Sequence, residues 1–281
     1  MNVFTIKSHA KINLALNITG KVSKLHKVES IVSFISLHDK IYLKKIKNKD
    51  HKVLFEGTFS KNIKKKNTVT TMLKLLDQKN LLDNQKFEIK ITKNIPQEAG
   101  MGGGSMNAAV LINFFIEKRI LRIKKKALLK LTRLIGSDVF LGIKQTNVIL
   151  SSNGKIKTYG KKMNIHTLVV KPNFGCSTKY IYSKVRKLTK SQFNHPKQSM
   201  FKMNYLKDLN NDLEKIAFNK YPKLKKIKSF LLTMPNNIFV RMSGSGSSIV
   251  AYFHSIEDCS NAYRQFKRKF SSHWCIVSKT I

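Results

Sequence analysis

Ile95-Pro-Gln-Glu-Ala-Gly-Met-Gly-Gly-Gly-Ser-Met-Asn-Ala-Ala109 sets Gly100, Gly102, Gly103 and Gly104 directly ahead of an apolar run. Glycine tolerates positive φ and lets a second group approach the backbone closely. A helix that starts at the end of such a loop points free N–H groups and the positive end of its dipole at whatever fills the loop, usually phosphate. Ser105 is a suitable N-cap for a helix expected to begin near Met106, and Leu111, Phe114, Phe115 and Lys118 follow a 3.6-residue period. The stretch is not the G-x-x-x-x-G-K-[ST] loop, because no lysine follows Gly104, and it lacks the spacing of a dinucleotide fingerprint. Tight packing of a turn remains the competing reading of these glycines.

Upstream, Phe87-Glu-Ile-Lys-Ile91 alternates strictly as a strand, and Pro96 ends it. Downstream, a helix is expected over Lys126 to Leu134, stopped at Gly136. Asp138 follows in Gly136-Ser-Asp-Val-Phe140, between the helix end and an apolar segment. With 15 acidic residues against 54 basic ones, an acid there is informative, although Asp is also a common turn residue. Ser8-His-Ala-Lys-Ile-Asn-Leu-Ala-Leu-Asn-Ile18 puts Lys11 and Asn13 on one face of a strand and Ile12 and Leu14 on the other. A solvated strand face is the alternative for that polar pair. A second glycine loop, Met242-Ser-Gly-Ser-Gly-Ser-Ser248, offers hydroxyls beside backbone N–H groups; a flexible turn is its alternative.

The remaining pattern predicts strands over residues 3–18, 31–37, 40–44 and 52–56, a polar loop over 20–26 and a helix over 69–76. Asn153-Gly154 suits a hairpin turn between 148–150 and 156–159. A new pattern then begins: a strand over 166–171, helices over 179–185, 206–218, 224–232 and 257–270, and strands over 239–242, 248–253 and 274–277. Strands and helices alternate without long parallel βαβ runs, so the expected class is α+β. The domains are expected at 1–157 and 158–281.

The 281 residues are 42% hydrophobic, enough for a sizeable core. No apolar stretch approaches the roughly 20 residues that span a bilayer, and the start lacks the order of a signal peptide, so a cytoplasmic protein is expected. Cys176, Cys259 and Cys275 form no CxxC pair, and an odd number suits a reducing compartment. The eight histidines show no zinc spacing, and no structural metal is expected. The formal charge of +39 invites a nucleic-acid reading. Its lysines are scattered along the whole chain, as on solvated faces, and Asn and Ile are abundant too. A weak, salt-sensitive affinity for polyanions follows from charge alone.

Taken together, Ala10-Lys-Ile-Asn-Leu14, Ile95-Pro, the Gly-x-Gly-Gly-Gly-Ser and Asn-Ala-Ala run, Ile135-Gly-Ser-Asp-Val139 and Arg241-Met-Ser-Gly-Ser-Gly246 resemble the GHMP kinase superfamily. The match spans nearly the whole chain. Ile18-Thr-Gly20, His26 and Asn211-Asp212-x-Glu214 point to the branch acting on a cytidine diphosphate-linked methylerythritol, in the non-mevalonate isoprenoid pathway. The resemblance implies a ribosomal protein S5 domain 2-like N-terminal domain and a ferredoxin-like C-terminal domain, with ATP and Mg²⁺ as cofactors. The implied reaction is phosphorylation of the 2-hydroxyl of 4-diphosphocytidyl-2-C-methyl-D-erythritol.

By the same resemblance Asp138 would be the base and Lys11 would stabilise charge near the accepting hydroxyl. ATP would meet Asn67, Pro96, Gly100, Met101, Gly102, Gly103, Gly104, Ser105, Asn107, Ser243, Gly244, Ser245 and Gly246. The other substrate would meet Asn13, His26, Thr178 and Tyr182, with His26 reading the cytosine edge and Tyr182 stacking on its face. Mg²⁺ would bridge phosphate oxygens with few protein ligands. A monomer or weak homodimer is expected, with no specific nucleic acid and no membrane as partner.

The chain departs from the family pattern at several points. Leu25 stands where a Tyr precedes the substrate His, Lys21-Val-Ser-Lys24 replaces the usual Arg/Asp/Gly loop, and Gln97-Glu98-Ala99 replaces a glycine-richer stretch. Met106 replaces a Ser and cannot ligate Mg²⁺ through oxygen. The alternatives are another small-molecule kinase of the superfamily, such as homoserine kinase, and a basic nucleic-acid-binding protein.

Overall fold

The computed structural model describes residues 3–23 and 25–281; Lys24, part of the 21–24 departure, lies outside the described residues. Two compact units emerge. One comprises the residues up to Lys11, Leu37–Gln97 and Gly102–Gln145; the other comprises Ile12–Ser36, Glu98–Met101 and Thr146–Ile281. Two long strands, β1 (Phe4–Val22) and β2 (Leu25–Ile46), pair with each other and pass from one unit into the other.

In the first unit β3 (Lys52–Glu56) runs parallel to β4 (Lys86–Thr92), which pairs antiparallel with residues 40–46 of β2. Three helices supply the rest of the core: α1 (Thr68–Gln78), α2 (Gly103–Glu117) and α3 (Lys125–Ile135). Alternation sends Ile41, Leu43, Phe87, Ile89 and Ile91 inward, where they join Met72, Leu76, Leu111 and Phe115. Residues Met106 to Ile112 of α2 are buried without a break, as expected for a helix that is apolar all round. A 3₁₀ helix, Val139–Gly142, follows α3.

In the second unit residues 30–32 of β2 pair antiparallel with β5 (Asn147–Leu150), itself joined by a hairpin to β6 (Ile156–Tyr159). A separate antiparallel sheet has the order β10-β7-β9-β8, formed by β7 (His166–Lys171), β8 (Asn237–Met242), β9 (Ile249–Phe253) and β10 (Trp274–Lys279). Numbered within that sheet the order is 4-1-3-2, the ferredoxin-like arrangement. The helices α4 (Thr178–Ser183), α5 (Met203–Leu206), α6 (Leu213–Lys220), α7 (Pro222–Leu232) and α8 (Ile256–Lys269) complete the chain. Leu213, Leu224, Ile227, Leu231 and Phe266 bury their side chains with Leu168, Val170 and Ala251 of the sheet. No helix among the described residues is long and apolar enough to cross a membrane.

Four expectations need correction. The polar stretch 20–26 is not a loop: β1 continues to Val22 and β2 is under way at Leu25. Residues 31–37 and 40–44 are one strand, because Asp39 keeps the inward alternation of Leu37, Ile41 and Leu43 and finds a partner inside. Helix α2 starts at Gly103, with Gly102 at φ 66° as its cap, so Ser105 lies within the first turn. The helix expected over 206–218 breaks into α5 and α6. There the Arg241 guanidinium takes the carbonyls of Leu206, Lys207 and Leu209, which a continuous helix would need for itself.

Cys176, Cys259 and Cys275 are free and buried, and burial pushes the first two thiols up to about 12 and the third to about 11. Only the thiolate is a good nucleophile. The folded protein at about pH 8 will therefore resist iodoacetamide while the urea-unfolded chain is labelled at all three positions. Rapid labelling of the native state, read by mass spectrometry, would contradict this burial.

Candidate active site

The glycine stretch divides between the two units, and each part is built by its own neighbours. In the first unit α2 opens at Gly103. An α-helix leaves its first N–H groups without intrahelical partners, here those of Gly103, Gly104 and Ser105, whereas Met106 N already donates to Gly102 O. Gly102 adopts φ 66° with the Lys11 stem beside it: a Cβ there would lie 3.0 Å from Lys11 Cγ. Both the left-handed backbone and the close approach require glycine.

Lys11 comes from β1 and is 4% exposed, so the solvated alternative for this strand face is excluded; Asn13, Ile12 and Leu14 are buried as well. Its ammonium sits 3.2 Å from Asp138 Oδ2. Asp138 is delivered by the stop of α3 at Gly136 and the turn into the 3₁₀ helix, and a third of its side-chain surface stays open. A shielded ammonium paired with a reachable carboxylate, at the N-terminus of a helix, is equipped to receive an anion and to take a proton.

Other residues of this unit shape the surroundings. Asn67 caps α1 by accepting from Val69 N and Thr70 N, and its amide donates to Lys64 O and Lys65 O, so it organises its own loop. Thr68, absent from the sequence-based set, brings its Oγ1 to 2.9 Å from where a Gly104 Cβ would stand. Asn107 is 1% exposed and its Oδ1 has no hydrogen-bond partner among the described residues. Pro96 is buried beside Ile95. Met106 fills the core, with its sulfur against Gly142.

In the second unit Gly100 and Met101 join the late glycine loop. Ser243 Oγ accepts from Asn13 N and donates to Gly100 O. Gly100 is at φ 70°, and any Cβ there would collide with the Ser243 carbonyl. Asn211 Nδ2 donates to both Met242 O and Gly244 O at 2.8 Å, and Glu214 Oε1 accepts from Met242 N. Arg241, whose affinity for its proton falls on burial, also donates to Leu14 O. The Ser243, Ser245 and Ser247 hydroxyls are thus engaged inside the protein: Ser245 pairs with Thr178 at 2.8 Å and Ser247 donates to Phe174 O. Gly246 lies close to Met242 and Cys176.

Helix α4 carries two of the expected substrate residues one turn apart. Thr178 reaches Ser245, while the Tyr182 ring lies 5.5 Å from the His26 ring at 49°. Leu25, next to His26, is 77% exposed. The Asn13 amide donates to Ser30 Oγ. Sequence reasoning missed Thr68, Asp39 and Lys93. Asp39 carried a signal, an acid at an inward position of a strand in a chain poor in acids.

Two family models match the chain. The GHMP kinases N terminal domain matches residues 67–155 and the GHMP kinases C terminal domain matches residues 189–272. Over all 281 residues and the whole of the relative, the chain is 64% identical to the 4-diphosphocytidyl-2-C-methyl-D-erythritol kinase of Pelagibacter ubique. The enzyme of that name from Clostridium tetani is 32% identical, over 98% of this chain and 99% of the relative. Among solved structures, a 4-(cytidine 5'-diphospho)-2C-methyl-D-erythritol kinase aligns with TM-score 0.78 at 20% identity, covering 98% of this chain and 99% of its own. A homoserine kinase from Cytophaga hutchinsonii aligns with TM-score 0.72 at 16% identity, covering 100% and 95%. The structural likenesses speak for the fold, and the sequence identities decide the kinship: the chain belongs to the GHMP kinases.

Proposed function

We propose that the chain transfers the γ-phosphoryl group of ATP to the 2-hydroxyl of 4-diphosphocytidyl-2-C-methyl-D-erythritol. The observation that carries this reading is the Lys11–Asp138 pair at 3.2 Å, with the Lys11 stem lying along Gly102 at the start of α2. The 64% identical relative bears the name of that kinase, and homoserine kinase likeness is confined to the fold.

Phosphoryl transfer asks for positioning and charge stabilisation more than for covalent chemistry. The N–H groups of Gly103, Gly104 and Ser105 hold phosphate oxygens. Asp138 accepts the proton of the attacking hydroxyl. The new O–P bond forms at the γ-phosphorus, the β,γ-bridging bond breaks and its electron pair leaves with ADP. Lys11 holds Asp138 in place and offsets the negative charge gathering on the transferred group. Mg²⁺, when bound, adds positive charge at the phosphate oxygens. The donor set fits an ion carried mainly by the nucleotide: no group of three His, Cys, Asp or Glu among the described residues forms a cage, and Met106 presents only a buried thioether.

The cytosine end falls to His26 and Tyr182, with Asn13 and Thr178 lining the substrate path. The domain division at 157/158 is part of the same reading, supported by the two family matches falling on either side of it. Buried free thiols suit a cytoplasmic setting.

ADP release measured with this alcohol, homoserine and mevalonate tests the assignment; faster turnover of either competitor overturns the substrate. Asp138→Asn is expected to cut kcat by about 10²–10⁴ and to lower the melting temperature, because the buried Lys11 ammonium loses its carboxylate; a folded, fully active variant removes the base. Tyr182→Ala is expected to raise KM for the cytidine-bearing alcohol by about tenfold and to leave KM for ATP alone. Equal changes in both constants would detach Tyr182 from the base.

A further inference from the structure

Asp39 and Lys93 form a second buried lysine–carboxylate pair in the first unit, with side chains 0% and 5% exposed. Asp39 Oδ2 takes the Lys93 ammonium, and its Oδ1 accepts from Asn94 N and Ile95 N, each at 2.8 Å. One carboxylate therefore holds three consecutive residues at the end of β4, just before Pro96 and the glycine stretch.

Gly103 rests on two of those residues. A Cβ at Gly103 would stand 3.1 Å from Ile95 Cγ2 and 3.3 Å from Lys93 Nζ. The arrangement parallels its neighbour: Gly102 lies on Lys11, which is paired with Asp138, and Gly103 lies on Lys93, which is paired with Asp39. Successive glycines at the start of α2 are thus seated on two lysines, each fixed by its own aspartate.

A buried ion pair is weak evidence for stability, because apolar residues of similar volume often do as well. Its geometric effect is direct. Without the carboxylate the ammonium has no reason to stay beside a helix N-terminus, whose partial positive charge repels it.

We propose that Asp39 is a positioning residue for nucleotide binding, which holds Lys93 and Ile95 against Gly103 and so pre-sets the N–H groups that receive the phosphates. The inference rests on the kinase reading above. Asp39→Asn isolates the effect: the amide oxygen keeps the bonds from Asn94 N and Ile95 N, while its NH₂ group faces the Lys93 ammonium donor to donor. A lone buried cation can unfold a protein, so the pair of changes Asp39→Asn with Lys93→Met, which removes both charges, serves as the second variant.

ADP binding by calorimetry, which needs no acceptor alcohol, is the deciding measurement. Each folded variant is expected to bind ADP about tenfold or more weakly than the parent, and the double variant no more weakly than Asp39→Asn alone. In turnover, KM for ATP rises by the same factor while kcat and KM for the alcohol stay within about twofold. A purely structural role would instead lower the melting temperature and leave the ADP affinity of the folded protein unchanged, and that result overturns the inference. A parent protein that binds ADP but leaves the alcohol untouched defeats the substrate assignment and leaves the Asp39 inference standing; a parent that binds no ADP defeats both.

Discussion

An ammonium shielded from water beside a carboxylate that is still reachable is the constraint around which the first unit is arranged. Desolvating a charge costs several kcal/mol unless a partner and hydrogen bonds compensate. Lys11 is accommodated because Asp138 meets it and because Gly102 offers no side chain to displace its stem. Each requirement reaches back into local structure. The long first strand must carry the lysine inward, α3 must stop at Gly136 to release the aspartate, and the turn into α2 must take a left-handed residue at Gly102.

The second unit meets a different demand, that of fixing a glycine loop whose own residues supply no rigidity. Backbone groups are held from several sides: Asn211 takes two carbonyls, Glu214 takes an N–H, and Ser243 links Asn13 to Gly100. Arg241 ties the end of α5 to β1 in the same region. The serines of this loop look from sequence like ligands for phosphate, yet the Ser243, Ser245 and Ser247 hydroxyls serve as internal struts. Pre-organisation of this kind suits a reaction in which placement does most of the chemistry.

Two departures from the family pattern differ in character once the surroundings are known. Met106 is a core residue packed on Gly142, so its change from a hydroxyl is a change of packing as well as of ligand chemistry. Leu25 is exposed, and the aromatic contact of His26 is made with Tyr182 instead. The extreme positive charge, which invited a nucleic-acid role, is not what relates this chain to its kin; sequence identity of 64% along the full length to a small-molecule kinase sets that role aside.

Much was legible before any coordinates. The alternation of Phe87 to Ile91, the stop at Gly136, the Asn153-Gly154 turn and the grouping of glycines ahead of α2 are local signals, and local sterics decide them. The pairing of Lys11 with Asp138 was readable only through resemblance, since nothing local joins residues 127 apart. Other features had no sequence signal of their own. That 31–46 is one strand depends on Lys93 waiting inside for Asp39, and the break between α5 and α6 depends on a guanidinium arriving from β8 to take the carbonyls. Periodicity and turn chemistry thus determined the elements and their class, because these depend on neighbours along the chain. Where polar groups are buried, and which glycine yields to which side chain, was decided only by the tertiary structure, because a buried charge is tolerable only where a distant partner meets it.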